Sequence, residues 1–105
     1  MPERLLVIDD DMAVLSSCQR IFTADGYEVE TTSDPNEGLR LATEKDYSVI
    51  LCDWKMPGLS GMDVVAELER RAPESTVLMF SGYPSVDRAA EAMKRGAMDY
   101  LPKPF

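Results

Sequence analysis

The sequence contains no histidine at any of its 105 positions. This absence excludes a histidine general base, a Ser-His-Asp arrangement and a histidine-ligated zinc site within the chain. Any acid–base or metal chemistry must therefore come from carboxylates, hydroxyls, lysine ammonium groups and the backbone.

Basic residues, cysteine and long apolar runs are also scarce. The chain has 11 Lys and Arg against 19 Asp and Glu, a net charge of -8, so we expect no direct nucleic-acid binding. Its two cysteines, Cys18 and Cys52, fall in apolar patterns and are interpreted as reduced core thiols. No run is long enough to cross a membrane and no signal pattern is present, which favours a cytoplasmic protein without membrane contact.

The overall composition is typical of a globular protein, with 45% hydrophobic and 29% charged residues. We therefore expect a single domain over residues 1–105. Short apolar runs, interpreted as strands, occupy residues 5–8, 27–29, 49–52, 77–80 and 98–101. The third and fourth runs are continuous, as in strands buried on both faces of a parallel sheet, whereas the second alternates as in an edge strand.

The segments between these runs have helical spacing. The first carries an apolar stripe and ends at a glycine, and the second begins with Asp34 as a cap before Pro35. The stripe consists of Val14, Leu15, Cys18, Ile21 and Phe22, and the glycine is Gly26. A third helix stops before Pro73, and a fourth begins after a cap at Ser85 and ends before Gly96.

The alternation of strands and helices predicts an α/β fold, a doubly wound parallel sheet of five strands with helices on both faces. The chain stops directly after the fifth strand, at Phe105, so the fifth helix that such a fold usually carries is missing. We therefore expect a truncated domain, or a homodimer or swapped element that covers the bare face of the sheet.

Chemically competent residues follow the strands of the predicted sheet. Asp9, Asp10 and Asp11 follow the first, Asp53 the third, Ser81 the fourth and Lys103 the fifth. In an open α/β sheet these positions meet at one edge. Helix capping explains Asp11 well, but it does not explain a carboxylate at the end of the most apolar strand. Clustered carboxylates repel, and Mg²⁺ is the economical cation to join them.

Lysine and serine complete the pattern of a phosphoryl-transfer site. Lys103 lies between Pro102 and Pro104, which fix the backbone on both sides and so aim its side chain. Ser81 is either a turn hydroxyl or a donor to a bound anion. A carboxylate nucleophile, a metal, a lysine and a hydroxyl are the parts that phosphoryl transfer requires.

Four segments carry a family resemblance: Val7-Ile8-Asp9-Asp10, Leu51-Cys52-Asp53-Trp54-Lys55-Met56-Pro57-Gly58, Phe80-Ser81-Gly82 and Leu101-Pro102-Lys103-Pro104-Phe105. In order and spacing they resemble the response-regulator receiver family of two-component systems, over the whole chain. Residues 84–96 are more weakly similar to the fourth helix of receivers in NtrC-like transcription activators. The resemblance implies the flavodoxin-like strand order 2-1-3-4-5.

The resemblance also implies a role for each matching residue. Asp53 is the phosphoacceptor, and Asp9 and Asp10 position Mg²⁺ or Mn²⁺ with Asp53 and the backbone carbonyl of Lys55. The remaining matches assist or report the reaction. Ser81 closes on the phosphoryl group, Lys103 pairs with the phosphorylated aspartate, Tyr100 reports the conformational switch, and Lys55 and Tyr83 tune the lifetime of the phosphoaspartate.

The partners that the resemblance implies are a histidine kinase and an output domain or downstream protein, such as a transcription activator, within a phosphorelay. The domain would catalyse its own phosphorylation and dephosphorylation and would not be a turnover enzyme.

Other readings use the same residues. A haloacid-dehalogenase-like phosphatase would use the Asp-x-Asp of Asp9 and Asp11, but the later acidic pair and the cap of that family are absent. Three aspartates after the first strand would repel a flavin phosphate, which disfavours a nucleotide binder. A degenerate receiver that acts only as an interaction module stays open.

Overall fold

The sheet has five parallel strands in the order β2-β1-β3-β4-β5. A computed structural model describes residues 3–53, 61–72, 74–81, 94 and 99–102. The strands are β1 (Arg4–Ile8), β2 (Glu28–Thr32), β3 (Val49–Asp53), β4 (Thr76–Ser81) and β5 (Asp99–Pro102), and the helices are α1 (Met12–Ala24), α2 (Pro35–Glu44) and α3 (Gly61–Arg71). The predicted fold class and strand order are confirmed.

Both faces of the sheet are covered by helices, and each face has its own apolar core. In β1, Leu5 and Val7 pack with residues of α1, whereas Leu6 and Ile8 pack with residues of α2 and α3. Alternate side chains of a strand point to opposite faces, so a strand between two helical layers must be apolar throughout. This requirement explains the unbroken apolar runs in β1 and β3.

Helix α1 begins and ends as the sequence predicts. The Asp11 side chain accepts a hydrogen bond from the Ala13 N–H, and Gly26 follows the helix with a φ of 96°. Leu15 and Cys18 of the predicted stripe are buried, but Ile21 is 40% exposed. At 3.6 residues per turn, Ile21 falls roughly 90° from the centre of the buried face, at the margin of the stripe.

Strand β2 lies at the edge, as predicted, but it is longer than its apolar run indicates. It continues through Thr31 and Thr32, which pair in register with Val7 and Ile8 of β1. The backbone ladder extends β2 past the apolar residues, and β-branched threonine suits a strand. Thr32 thereby becomes a buried polar residue at the carboxyl end of the sheet.

Helix α2 packs closely on β1. Its cap is Asp34, whose side chain accepts a hydrogen bond from the Asn36 N–H, and Pro35 follows as expected. Gly38 faces Ile8 so closely that an added Cβ would lie 2.5 Å from Ile8 Cδ1 and 2.8 Å from its Cγ1. This glycine lets the helix backbone approach the strand that leads to Asp9.

In the middle of the edge strand β2, Glu30 accepts hydrogen bonds from Lys45 Nζ at 3.0 Å and from the Tyr47 hydroxyl at 3.1 Å. Burial acts to raise the pKa of Glu30, but the hydrogen bonds from Lys45 and Tyr47 outweigh it and lower that pKa. Burial, followed by the hydrogen bond to Glu30, raises the pKa of Tyr47. The group therefore stabilises the fold with Glu30 ionised.

The predicted fourth helix lies outside the residues that the structure describes, except for Lys94, which is helical.

Replacing Gly38 by alanine tests the packing of α2 on β1. Overpacking costs about 1–3 kcal/mol and the helix propensity of alanine returns up to about 1 kcal/mol, so Gly38→Ala should lower the free energy of unfolding by about 1 kcal/mol. Urea denaturation measures this change. Asn36→Ala, on the exposed side of the same helix, is the control and should not destabilise. An increase in stability for Gly38→Ala would contradict the close packing.

Replacing Tyr47 by phenylalanine tests the Glu30 group. The folded pKa of Glu30 lies below its ordinary value of 4.5, so its stabilisation is present above that value and is lost as pH falls through the folded pKa. Tyr47→Phe should cost about 1 kcal/mol near neutral pH, and the deficit should shrink in acid. Urea denaturation as a function of pH measures it, with Tyr27→Phe as control. A deficit that does not change with pH would refute this account.

Candidate functional site

The ends of β1 and β3 place two aspartates side by side. These neighbouring strands pair in register up to Ile8 and Cys52, and the next residues along the chain are Asp9 and Asp53. Because the strands are parallel, both carboxylates emerge at the carboxyl edge of the sheet. Asp10 follows Asp9 at the same edge.

The structure brings these three aspartates together. One carboxylate oxygen from each of Asp9, Asp10 and Asp53 lies within 4.8 Å of the other two. Asp9 is fully buried, Asp53 is 6% exposed and Asp10 is exposed. Negative charges that are so close and so poorly hydrated disfavour one another, and a hard cation with oxygen ligands relieves this repulsion. The donor set therefore fits a divalent cation.

Asp9 is held at both its backbone and its side chain. Its N–H donates to the carbonyl oxygen of Thr32 at 3.1 Å, and its Oδ1 accepts a hydrogen bond from the Asp11 N–H at 2.9 Å. The Asp11 side chain in turn caps α1. The three consecutive aspartates therefore differ in function. Asp9 and Asp10 contribute carboxylates to the cluster, and Asp11 caps the start of α1.

Cys52 lies directly before Asp53 but faces the core shared by α2 and α3. Burial raises the pKa of its thiol, and the negative charges of Asp53 and Asp9 raise it further. The thiol therefore stays neutral and is a poor nucleophile. Both Cys18 and Cys52 are buried and are not joined in a disulfide, so the prediction of reduced core thiols is confirmed.

The other predicted site residues are described in part or not at all. Ser81 is the last residue of β4 and pairs in register with Pro102, and Tyr100 lies in β5 opposite Met79. The structure describes the backbone of Ser81 and Tyr100 but not their side chains. Lys55, Tyr83 and Lys103 lie outside the described residues. The roles expected of these five residues stay predictions.

Sequence reasoning missed Thr32, whose carbonyl oxygen holds the Asp9 N–H. A signal for it exists in the stretch Thr32-Ser33-Asp34-Pro35. Threonine two residues before an aspartate cap is suited to a side-chain–backbone turn. Its contact with Asp9, however, depends on the pairing of β2 with β1, which local sequence does not reveal.

Comparison with known proteins gives one consistent result. A family model for the response regulator receiver domain matches residues 5–105. The chain is 37% identical over 105 residues to the response regulator MprA of Mycolicibacterium vanbaalenii, covering 100% of this chain and 46% of that protein. It is 36% identical over 101 residues to the transcriptional regulatory protein ZraR of Klebsiella oxytoca, covering 96% of this chain and 23% of that protein. The chain spans less than half the length of these relatives.

A solved structure agrees. The crystal structure of a response regulator protein from Burkholderia pseudomallei, with a phosphorylated aspartic acid, calcium ion and citrate, matches with a TM-score of 0.93 and 32% identity. The match covers 98% of this chain and 61% of that chain. The solution structure of the beryllofluoride-activated NtrC4 receiver domain dimer also matches, with a TM-score of 0.91 and 34% identity over 97% of this chain and 84% of that chain, which supports the weaker subfamily resemblance. Within the described segments, no helix has the length and apolar character that crossing a bilayer requires.

Replacing Asp10 by asparagine tests the electrostatics of the three-aspartate cluster. Mg²⁺ at about one hundred times its dissociation constant should raise the free energy of unfolding of the unaltered protein by about 2.7 kcal/mol. Asp10→Asn should be more stable than the unaltered protein in chelator, because a repelling charge is gone, and should gain less from Mg²⁺.

Urea denaturation in chelator and in Mg²⁺ measures both the stability without the cation and the gain in stability that the cation gives. Asp11→Asn is the matched control, since asparagine also caps a helix and the residue adjoins the cluster. That variant should keep the full response to Mg²⁺. An equal loss of the response in both variants would show that net charge alone governs it.

Proposed function

Because the chain belongs to the response regulator receiver domain family, we propose that Asp53 is its phosphoacceptor and that Asp9 and Asp10 bind the divalent cation that the reaction needs. The domain serves two-component signal transduction. The single observation that carries the proposal is the convergence of one oxygen from each of the three carboxylates within 4.8 Å.

The position of Asp53 suits a nucleophile. It ends the central strand β3, with β1 on one side and β4 on the other, so groups from both neighbouring strand ends can surround a phosphoryl group. Asp9 already accepts a main-chain hydrogen bond from Asp11, which orients its carboxylate. Asp9 is therefore suited to be a fixed ligand of the cation, and Asp53 is suited to attack the phosphorus.

The reaction is an in-line displacement. A carboxylate oxygen of Asp53 attacks the phosphorus of a phosphohistidine, the P–O bond forms, the P–N bond breaks, and the imidazole nitrogen leaves with its electron pair. Mg²⁺ or Mn²⁺, when bound, neutralises charge on the carboxylates and on the phosphoryl oxygens. The protein contributes position and electrostatics, because a carboxylate nucleophile carries no proton that a base would have to remove.

The remaining roles follow from the family. Lys103 pairs with the phosphorylated Asp53, the Ser81 hydroxyl closes on the phosphoryl group and Tyr100 responds to that closure. The backbone carbonyl of Lys55 adds a cation ligand, and the side chains of Lys55 and Tyr83 tune hydrolysis. Through these groups the domain catalyses its own phosphorylation and dephosphorylation, which biases a two-state equilibrium.

The proposed location of the domain is the cytoplasm, and its proposed partners are a histidine kinase and an output domain or downstream protein such as a transcription activator. Two named relatives are a response regulator and a transcriptional regulatory protein, and each is more than twice as long as the segment that this chain matches. We propose that residues 1–105 form one receiver domain. Because the net charge is -8, we expect any nucleic-acid contact to be made by the output partner and not by these residues. Homodimerisation stays a prediction.

One contact disfavours the phosphatase alternative. That mechanism needs the carboxylates of Asp9 and Asp11 to act together on the substrate. The Asp11 carboxylate instead accepts the Ala13 N–H at the start of α1. The cluster instead joins Asp9 with Asp10 and Asp53, which supports the proposed phosphoacceptor site.

Replacing Asp53 by asparagine tests the proposal. Incubation with a small phosphodonor and Mg²⁺ should add one phosphoryl group per unaltered chain, and Asp53→Asn should abolish this addition because an amide is a poor nucleophile. Intact-protein mass spectrometry measures it. The control is Asp46→Asn, an exposed aspartate in the loop between α2 and β3, and it should be phosphorylated normally.

Full phosphorylation of the Asp53→Asn chain would overturn the assignment. Failure of the unaltered chain to accept phosphate, together with a normal stabilisation by Mg²⁺, would instead identify a degenerate receiver.

A further inference from the structure

The junction between β2 and α2 is connected to the cation site by a path of hydrogen bonds. The path starts at Asp34, the cap of α2, and passes through Thr32 to the backbone of Asp9. It continues from the Asp9 carboxylate to the N–H of Asp11, the cap of α1. Asp9 is thus tied to the first residues of two helices.

Thr32 is the central link of this path. Its Oγ1 accepts a hydrogen bond from the Asp34 N–H at 3.2 Å and lies 3.4 Å from the Asp34 carbonyl oxygen, to which it donates. Its carbonyl oxygen accepts the Asp9 N–H at 3.1 Å. Thr32 is only 6% exposed, so water cannot readily replace these partners. The hydroxyl therefore fixes the turn whose carbonyl holds Asp9.

A second contact joins α2 to the same stretch of chain. Gly38 lies against Ile8, and an added Cβ would come within 2.8 Å of two Ile8 atoms. Ile8 immediately precedes Asp9 and is fully buried. A displacement of the start of α2 therefore reaches Asp9 through packing as well as through hydrogen bonds.

Asp53 is the last residue of β3 and pairs in register with Phe80 of β4. The ladder between β1 and β3 pairs residues only as far as Ile8 and Cys52, so Asp9 lies just beyond it. The hydrogen bond to Thr32 holds the Asp9 backbone at this position. Loosening the β2–α2 junction should therefore change the spacing of the carboxylates even when the β1–β3 ladder stays intact.

We propose that Thr32 is a positioning residue for the cation site, acting through the backbone of Asp9. The inference rests on the proposed cation binding and deepens it by assigning a support outside the ligands. The coupling is reciprocal, so a cation that binds more tightly to the ordered junction must lower the population of the open junction by the same free energy. The amide of Asp34, which is bonded to the Thr32 hydroxyl, reports that opening.

The test compares cation affinity in three variants by calorimetric titration with Mg²⁺. Thr32→Val keeps the branched shape and removes the hydroxyl, and it should weaken binding on the order of tenfold. Thr32→Ser restores the hydroxyl and should bind nearly as tightly as the unaltered protein. The matched control, Thr31→Val, changes the preceding threonine, which faces the other side of the sheet, and should leave affinity unchanged.

Unchanged affinity in a folded Thr32→Val protein would overturn the inference, even if that protein is less stable, because a purely structural role lowers stability without weakening Mg²⁺ binding. If the unaltered protein itself does not bind Mg²⁺, the proposed function fails and the inference fails with it. The two failures are thereby distinguishable.

Hydrogen exchange on the unaltered protein gives a measurement that does not require a variant to fold. Mg²⁺ should slow exchange at the Asp34 amide. It should have little effect at the Lys45 amide, which is bonded to Leu41 at the other end of α2. Equal protection at both amides, or none at Asp34, would overturn the proposed coupling.

Discussion

Two carboxylates that water scarcely reaches, those of Asp9 and Asp53, lie side by side where β1 and β3 end, and Asp10 joins them from the surface. Their mutual repulsion is the constraint around which this edge of the molecule is built. Nothing in the local sequence requires an aspartate at the end of the most apolar strand, and packing alone would favour a hydrophobic residue. In the proposed reaction a cation and a phosphoryl group share this site, and the same crowding that is unfavourable in isolation would then supply the ligands and the nucleophile.

The rest of the described structure holds these charges in place. The ladder between β1 and β3 fixes the strand ends, and the helix caps use backbone N–H groups to orient the acidic run. On the edge strand β2, the ion pair of Glu30 with Lys45 and the hydrogen bond from Tyr47 stabilise the fold and involve none of the three clustered aspartates.

The sequence predicts the framework well because its signals are local. Asp34 before Pro35 indicates the start of α2, and the continuous apolar run in β3 indicates a strand covered on both faces. The extent of β2 could not be predicted in this way, since Thr31 and Thr32 are polar and join the strand through pairing with β1. The exposure of Ile21 likewise follows from the placement of α1 on the sheet, which apolar spacing alone does not determine.

The candidate site, like the fold, could be predicted only in part. The meeting of Asp9, Asp10 and Asp53 follows from strand order, which the alternation of elements and the family resemblance supply together. The contact of Thr32 with Asp9 depends on a turn that the neighbouring strand β2 brings against β1, so the local sequence does not predict it. Cys52, the residue before Asp53, is buried and its pKa is raised, so little thiolate forms. Because the thiolate is the form that oxidants attack, this cysteine should not couple the redox state of its surroundings to the carboxylate cluster beside it.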